Sequence, residues 1–362
     1  MINNHNESVA HKTARELPAY SSRRFLRVIS ISGLILTSIV ISALALTVGS
    51  VEIPFNTVWQ ILISHLPFVN FRGDWSPTTD MIITGIRLPR ILMAGAVGTA
   101  LGVAGATYQG LFRNPLADPY LIGVAQGAAL GAVVGFVLPL TFGGVYLIPI
   151  LAFLGAVAAV SFVYLIARVG KTLPMTTLIL AGVAIGSVLM SITTYLTMIS
   201  PDKVHGILSW LMGSFSISSW DQLKLISPYI AIGLGVIFLY ARPLNVMQLD
   251  EEQAQQLGIN VERTKIILMA SATLITAMAV CFVGIIGFVG IIVPHTVRLI
   301  WGPDHRLLLP LSAIAGAILL ILADTASRTM MAPSEISVGV ITAFLGAPFF
   351  LFLLRRKKKA VF

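Results

Sequence analysis

The uncharged apolar run from Val28 to Val48 constrains the fold of this chain more than any other feature of its sequence. It lies between Arg27 and Glu52, and as a helix it is long enough to cross a bilayer, which takes about 20 apolar residues. Similar runs follow, and only 11% of the 362 residues are charged, against about 25% in ordinary soluble domains. We therefore predict an all-α integral protein that crosses the cell (inner or cytoplasmic) membrane several times.

Charge-free intervals locate the predicted spans, because an ionised side chain near the bilayer centre costs a few kcal/mol or more. After the first run, these intervals are 91–112, two spans within 118–168, 171–202, 224–242, 306–324 and 335–355, with a short interfacial helix near residues 205–212. The interval 266–297 is long for one helix. Two spans that turn at Gly284, Gly287 and Gly290 place most of the 24 Lys and Arg residues on the cytoplasmic side, as the positive-inside rule expects. The sequence thus predicts ten transmembrane helices with both termini in the cytoplasm.

Three regions follow from this count. Residues 1–26 are polar and are predicted to form a disordered cytoplasmic tail, residues 27–355 form the ten-span domain, and residues 356–362 form a basic cytoplasmic tail. Glycines recur every four residues at Gly127, Gly131 and Gly135, and this spacing lets helix backbones approach closely within lipid. We therefore expect a tightly packed helical bundle.

Several function classes are disfavoured by what the sequence holds. The single cysteine, Cys281, permits no internal disulfide, and His205, His295 and His305 lie in three separate segments, so no metal site is predicted. No acid, base and nucleophile converge within the spans, so no catalytic residues and no enzyme activity are predicted. The basic residues flank the spans, which argues against nucleic-acid binding and for contact with membrane lipid.

The source of energy is predicted from the acidic residues. All 15 Asp and Glu residues lie in tails, loops or span ends, so the spans offer no carboxylate relay for a coupling ion. A separate ATPase chain fits this distribution best. The alternative is an ion-coupled secondary transporter.

Two blocks of motifs carry a resemblance to a known family. They are Arg87-Leu88-Pro89-Arg90 with Gln109 to Pro119 and Ile122-Gly123, and then Gly287-Phe288-Val289-Gly290, Pro294-His295, Asp304-His305-Arg306, Ala323-Asp324 and Gly346-Ala347-Pro348. In this order they resemble the FecCD-type permeases of iron-siderophore, haem and cobalamin ABC importers, over roughly residues 28–355. The resemblance implies a homodimeric type II importer permease with two cytoplasmic ATPase subunits and an external, periplasmic substrate-binding protein. It also implies that the partner ATPase uses the ATP while this chain binds no cofactor, and that the cargo is a ferric siderophore, with haem and cobalamin next.

The resemblance also implies roles for particular residues. Arg87, Arg90 and Arg328 match the external arginines that pair with carboxylates of the binding protein; the alternative is that they are interfacial side chains that anchor the helices. The inner gate at the cytoplasmic ends of the second and fifth spans corresponds to Asn114, Leu116, Met175 and Thr176.

The longest predicted cytoplasmic loop contains a short helix signalled by its own residues. Asp250 can cap it and Gly258 can end it. By itself this segment could be a solvated loop. In the family that it resembles, the loop docks into the ATPase, and the contacts would be made by Ala254, Gln255, Leu257 and Gly258.

Overall fold

The computed structural model describes residues 20–49, 51–66, 73–138 and 144–358. Within these ranges the regular structure is helical, apart from one isolated β-bridge between Val169 and Thr172. The helices are α1 Tyr20–Thr47, α2 Phe55–Ser64, α3 Pro77–Met81, α4 Leu88–Leu111, α5 Val124–Val137, α6 Leu147–Ala167, α7 Met175–Met198, α8 Val204–Leu211, α9 Trp220–Leu239, α10 Ala241–Val246, α11 Glu251–Gln256, α12 Val261–Val283, α13 Val289–Trp301, α14 His305–Thr329 and α15 Val338–Lys358. A π turn, Ile82–Arg87, joins α3 to α4, so that Pro77–Leu111 is one continuous helical stretch.

Seven of the described helical stretches are long and apolar enough to cross a membrane, so the chain is an all-helical, multi-pass membrane protein. Three further apolar helices are shorter: α5, α13 and the Val338–Leu351 part of α15. The predicted break within 266–297 is present, because α12 ends at Val283 and α13 begins at Val289. Gly284 (φ 77°) and Phe288 (φ 68°) both have positive φ there, a conformation that a continuing right-handed helix cannot contain.

Side chains cap several helix starts where the sequence places Ser, Asn or Asp. Ser76 Oγ accepts a hydrogen bond from the Thr79 N–H at 3.1 Å, and Asn260 Oδ1 accepts one from the Arg263 N–H at 3.0 Å. Each such bond satisfies an amide that has no partner within the helix. The starts of α3 and α12 are therefore set by local sequence.

Helix α4 lies at the centre of the bundle and packs against α9, α12, α13 and α14. In its most apolar window 78% of the residues are buried, as in α12, whereas the corresponding figure for α1 is 6%. Helix α1 is therefore peripheral and packs mainly against α14.

The expected close packing at glycines is confirmed where two backbones meet. A Cβ added at Gly131 would lie 2.0 Å from the Leu151 carbonyl oxygen, and one at Gly98 would lie 2.1 Å from that of Gly316. Gly186 differs, because an added Cβ there would meet only the side chain of Gln126, at 3.5 Å. These contacts hold α5 against α6 and α4 against α14 at distances that other residues would not allow.

The two predicted tails are described only in part. Residues 20–26 of the predicted N-terminal tail form the start of helix α1, and residues 1–19 lie outside the described residues. Helix α15 continues to Lys358, and residues 359–362 lie outside the described part.

Candidate functional site

Three arginines predicted as docking residues lie together at one end of the bundle. Arg87 ends the π turn, Arg90 lies in the first turn of α4, and Arg328 lies in the last turn of α14. They are 5%, 6% and 6% exposed, respectively. With Asp324 and Glu335 they form what we call the arginine cluster.

Ion pairs within the chain satisfy much of this cluster. Arg90 Nε donates to Asp324 Oδ1 at 2.9 Å, and its two terminal nitrogens donate to the two oxygens of Glu335 at 2.8 and 2.9 Å. Arg328 Nε lies 3.2 Å from Asp324 Oδ2. The fully buried Asp324 carboxylate is thus placed between two guanidinium groups, as a buried charge requires.

Arg87 and Arg328 also cap the C-terminal end of α1. Arg87 Nη1 donates to the carbonyl oxygens of Leu46 at 2.6 Å and Thr47 at 3.1 Å. Arg328 Nη1 donates to the carbonyl oxygen of Val48 at 3.0 Å. Carbonyls at a helix C-terminus have no partner within the helix, and cations are favoured there.

This geometry bears on the predicted role in docking, which stays a prediction. A carboxylate of a partner protein would have to compete with the bonds that Arg87, Arg90 and Arg328 already make within the chain. The sequence predicted the arginines, but not the carboxylates of Asp324 and Glu335 that pair with Arg90 and Arg328. One signal was available, because Asp324 and Arg328 are opposite charges four residues apart near the C-terminal end of α14.

The four predicted gate residues lie on two segments. Asn114 and Leu116 belong to the turn after α4, where Asn114 Oδ1 accepts a hydrogen bond from the Leu116 N–H at 3.0 Å. Met175 and Thr176 begin α7, and they line a cavity of about 450 Å³ together with Arg113, Glu262 and Lys265 among others. Asn114 and Leu116 are not part of that lining. A role in gating stays a prediction for all four.

The predicted ATPase-coupling helix is α11. Asp250 is at its N-cap position, but its side chain makes no capping bond and instead lies 3.6 Å from Arg113 Nη1. Leu257 is 64% exposed, and Gly258 has φ +83° in open space, whereas Ala254 is fully buried against its own chain. Gln255 is also exposed. The exposed positions are accessible to a partner, while contact through Ala254 would require α11 to shift; all four contacts stay predictions.

A large cavity, about 1030 Å³, lies along α7. Its lining is mostly small, apolar or weakly polar and includes Tyr120, Gln126, Gly186, Ser187, Met190, Ser191, Thr194 and Phe288. This cavity was not predicted from the sequence, because its walls come from α7, the segment around Tyr120 and the segment that leads into α13, which are far apart in the chain. Among the described residues, no group of three or more His, Cys, Asp and Glu residues could hold a metal ion.

Comparison with known proteins decides the family. The family model described as "FecCD transport family" matches residues 34–356. The chain belongs to this family. A cobalamin import permease, BtuC of Halobacterium salinarum, is 46% identical over 285 residues, which are 78% of this chain and 76% of BtuC. A hemin transport permease, HmuU of Yersinia pestis, is 38% identical over 338 residues, covering 90% of this chain and 96% of HmuU.

A solved structure shares the fold of this FecCD member. It is described as an inward-facing conformation of a metal-chelate type ABC transporter, and it superposes with a TM-score of 0.77 at 29% identity. The likeness covers 90% of this chain and 98% of that chain. The family match includes the arginine cluster, the gate residues and α11.

Proposed function

We propose that this chain is the membrane-spanning permease subunit of an ATP-driven importer that carries a metal chelate. The observation that carries the proposal is the family match over residues 34–356, together with a metal-chelate type ABC transporter of the same fold along nearly its whole length. The chain itself would hydrolyse no ATP. Transport would be driven by ATPase subunits that dock at α11 and supplied by an external binding protein.

Ten spans and two cytoplasmic termini are part of the proposal. Seven long and three shorter apolar helices support the number. The charge distribution supports the orientation, because the basic C-terminal segment would then face the cytoplasm. The arginine cluster would in turn lie at the external side.

Homodimer formation is supported by the surface of α7. In the single chain Leu180, Val183 and Met190 on this helix are all more than half exposed, and Met190 also lines the large cavity. A second copy placed against α7 would cover these side chains and close the cavity into a pathway between the subunits. The pathway walls would then be mostly apolar and weakly polar.

The cargo is proposed with three candidates. A ferric siderophore is the first, from the resemblance of the sequence motifs. The relatives named for cobalamin and hemin favour these two as specific alternatives. A wide, weakly polar pathway discriminates poorly between large chelates, so the choice would be made chiefly by the binding protein.

The test is uptake into proteoliposomes that contain this chain with its ATPase and binding protein. We expect uptake of one chelate to require ATP and the ATPase, and to persist when ionophores collapse all ion gradients. The substrate is read from the chelate that co-purifies with the binding protein, since iron, haem and corrinoid differ in absorption and metal content. Uptake driven by an ion gradient without ATP would instead support the secondary-transporter alternative.

A further inference from the structure

We propose that Lys265 is a positioning residue that links the α11 loop to the gate end of α7, so that movement of one is transmitted to the other. This inference rests on the proposed function, in which α11 receives the ATPase, and on the predicted gate residues Met175 and Thr176 at the start of α7. It assigns a role to a lysine at the start of α12 that no sequence motif singled out.

The ammonium group of Lys265 hydrogen-bonds to Glu262 and to the Leu173 carbonyl, and it forms an ion pair with Glu251. Nζ lies 2.9 Å from Glu251 Oε1 and 2.8 Å from Glu262 Oε1, and it donates to the Leu173 carbonyl oxygen at 3.2 Å. The Lys265 side chain is only 3% exposed. A buried ammonium group is tolerated only when it is paired and hydrogen-bonded, so these three contacts are coupled to one another.

Each acceptor belongs to a different element. Glu251 is the first residue of α11, Glu262 is in the first turn of α12, and Leu173 lies in the segment that leads into α7. Lys265 therefore lies where the predicted ATPase contact, a core helix and the gate segment meet. Surface ion pairs within one helix would not join three elements in this way.

Two side chains of α12 hold the backbone of Leu173, the residue that precedes Pro174 and the start of α7. The Leu173 N–H donates to Glu262 Oε2 at 2.9 Å, while its carbonyl accepts from Lys265. Pro174 follows, with its φ restricted by the ring, and Met175 then begins α7. The step from Leu173 to α7 is thus short and stiff, so a displacement at Leu173 moves the start of α7.

A second set of contacts connects the same loop to the turn after α4, which contains the predicted gate residues Asn114 and Leu116. Arg113, which lies two residues after α4, donates from Nε to the Met247 carbonyl at 2.8 Å and lies 3.6 Å from Asp250. Gln248 Nε2 donates to the Gly110 carbonyl at 3.0 Å. The loop that carries α11 is therefore connected to α4 through Arg113 and Gln248, and to α7 through Lys265.

The test compares Glu251→Gln and Lys265→Met with the control Glu252→Gln. Glu251 and Glu252 are neighbouring, exposed residues in the first turn of α11, but only Glu251 contacts Lys265. The readouts are chelate taken up per ATP hydrolysed by the complete transporter, and the effect of a non-hydrolysable ATP analogue on maleimide labelling of Thr176→Cys. Labelling uses a Cys281→Ser background, because Cys281 is the only cysteine.

We expect Glu251→Gln and Lys265→Met each to lower uptake per ATP about tenfold, within the range typical of coupling between two sites. When Lys265 and Glu251 are both present, the ATP analogue should change the rate at which maleimide labels Thr176→Cys. It should not change that rate when either residue is substituted. The double variant should be no worse than Lys265→Met alone, because both remove the same contact. Glu252→Gln should behave like the parent.

A merely structural role would lower the amount of assembled transporter, reducing uptake and ATP hydrolysis in parallel and leaving their ratio unchanged. An unchanged ratio and an unchanged labelling response in Glu251→Gln would overturn the inference, even if Lys265→Met fails to assemble. Failure of the proposed function is distinguishable, since the parent itself would then take up chelate without ATP or its ATPase.

Discussion

The close contact between α4 and α14 at Gly98 predicts that Gly98→Ala lowers the stability of the protein, and the distances at this contact indicate by how much. A Cβ added at Gly98 would lie 2.1 Å from the Gly316 carbonyl oxygen and 2.6 Å from its carbon. Both are backbone atoms, so no side chain can rotate away. To accept Gly98→Ala, the contact must open to at least 3.0 Å, which separates the two helices locally.

The expected cost of Gly98→Ala is about 1–3 kcal/mol of unfolding free energy, the usual range for overpacking a well-packed interior. A gap of about 0.5–1 Å already removes a quarter to a half of the attraction between neighbouring atoms. Gly95→Ala is the matched control on the same helix, because its added Cβ would meet Ile321 Cδ1 at 3.6 Å, an ordinary contact.

The assay is reversible unfolding in mixed micelles at increasing SDS fraction, followed by circular dichroism. Gly95→Ala should unfold at the same SDS fraction as the parent or slightly above it, since alanine favours a helix more than glycine does. Gly98→Ala should unfold at a lower fraction. Equal stability of the two variants would refute the packing argument.

Three further predictions concern charge and backbone conformation. Asp324→Asn should lower the unfolding free energy by about 3–5 kcal/mol, because the buried Arg328 guanidinium loses its carboxylate partner. Glu335→Gln, with a side chain 36% exposed, should cost about 1 kcal/mol or less; similar SDS-unfolding midpoints would contradict this. Gly258→Val places a β-branched residue at φ +83° and should lower uptake per ATP hydrolysed; unchanged uptake and ATPase association would count against α11 as the coupling element. Arg328→Glu should weaken binding-protein docking, and docking to the parent should weaken as salt rises; sedimentation showing neither effect would leave the arginine a structural role alone.

Much of the fold could be predicted from the sequence because charge is costly in a bilayer. The charge-free intervals located the helices, and the glycine cluster beginning at Gly284 located the break between α12 and α13. The helical extension from Pro77 through the π turn was not predicted, because the charge-free interval that marks this span begins only after Arg90. An arginine ends a charge-free interval, but it does not end a helix when the fold supplies its partners.

The candidate site was less predictable. Motif resemblance found Arg90 and the α11 loop, but not the burial of Ala254 or the contacts of Lys265. The sequence of a short amphipathic helix indicates which of its residues are apolar. It does not indicate which neighbouring element will bury them. Lys265 meets Leu173 across 92 residues of chain, and pairing at that separation is set by tertiary packing alone.

The peripheral position of α1 has a consequence for the order of assembly during synthesis. Among the described helices this one is made before the others, and the side chains that hold its C-terminal carbonyls come later: Arg87 lies 41 residues after Leu46, and Arg328 lies 283 residues after Ala45. Helix α1 therefore leaves the translocon before either arginine can bond its C-terminal carbonyls. All of these hydrogen bonds can form only after α14 has been inserted. We expect truncated chains that end before α14 to leave α1 laterally mobile in the lipid, and its docking to be among the last steps in the maturation of the subunit.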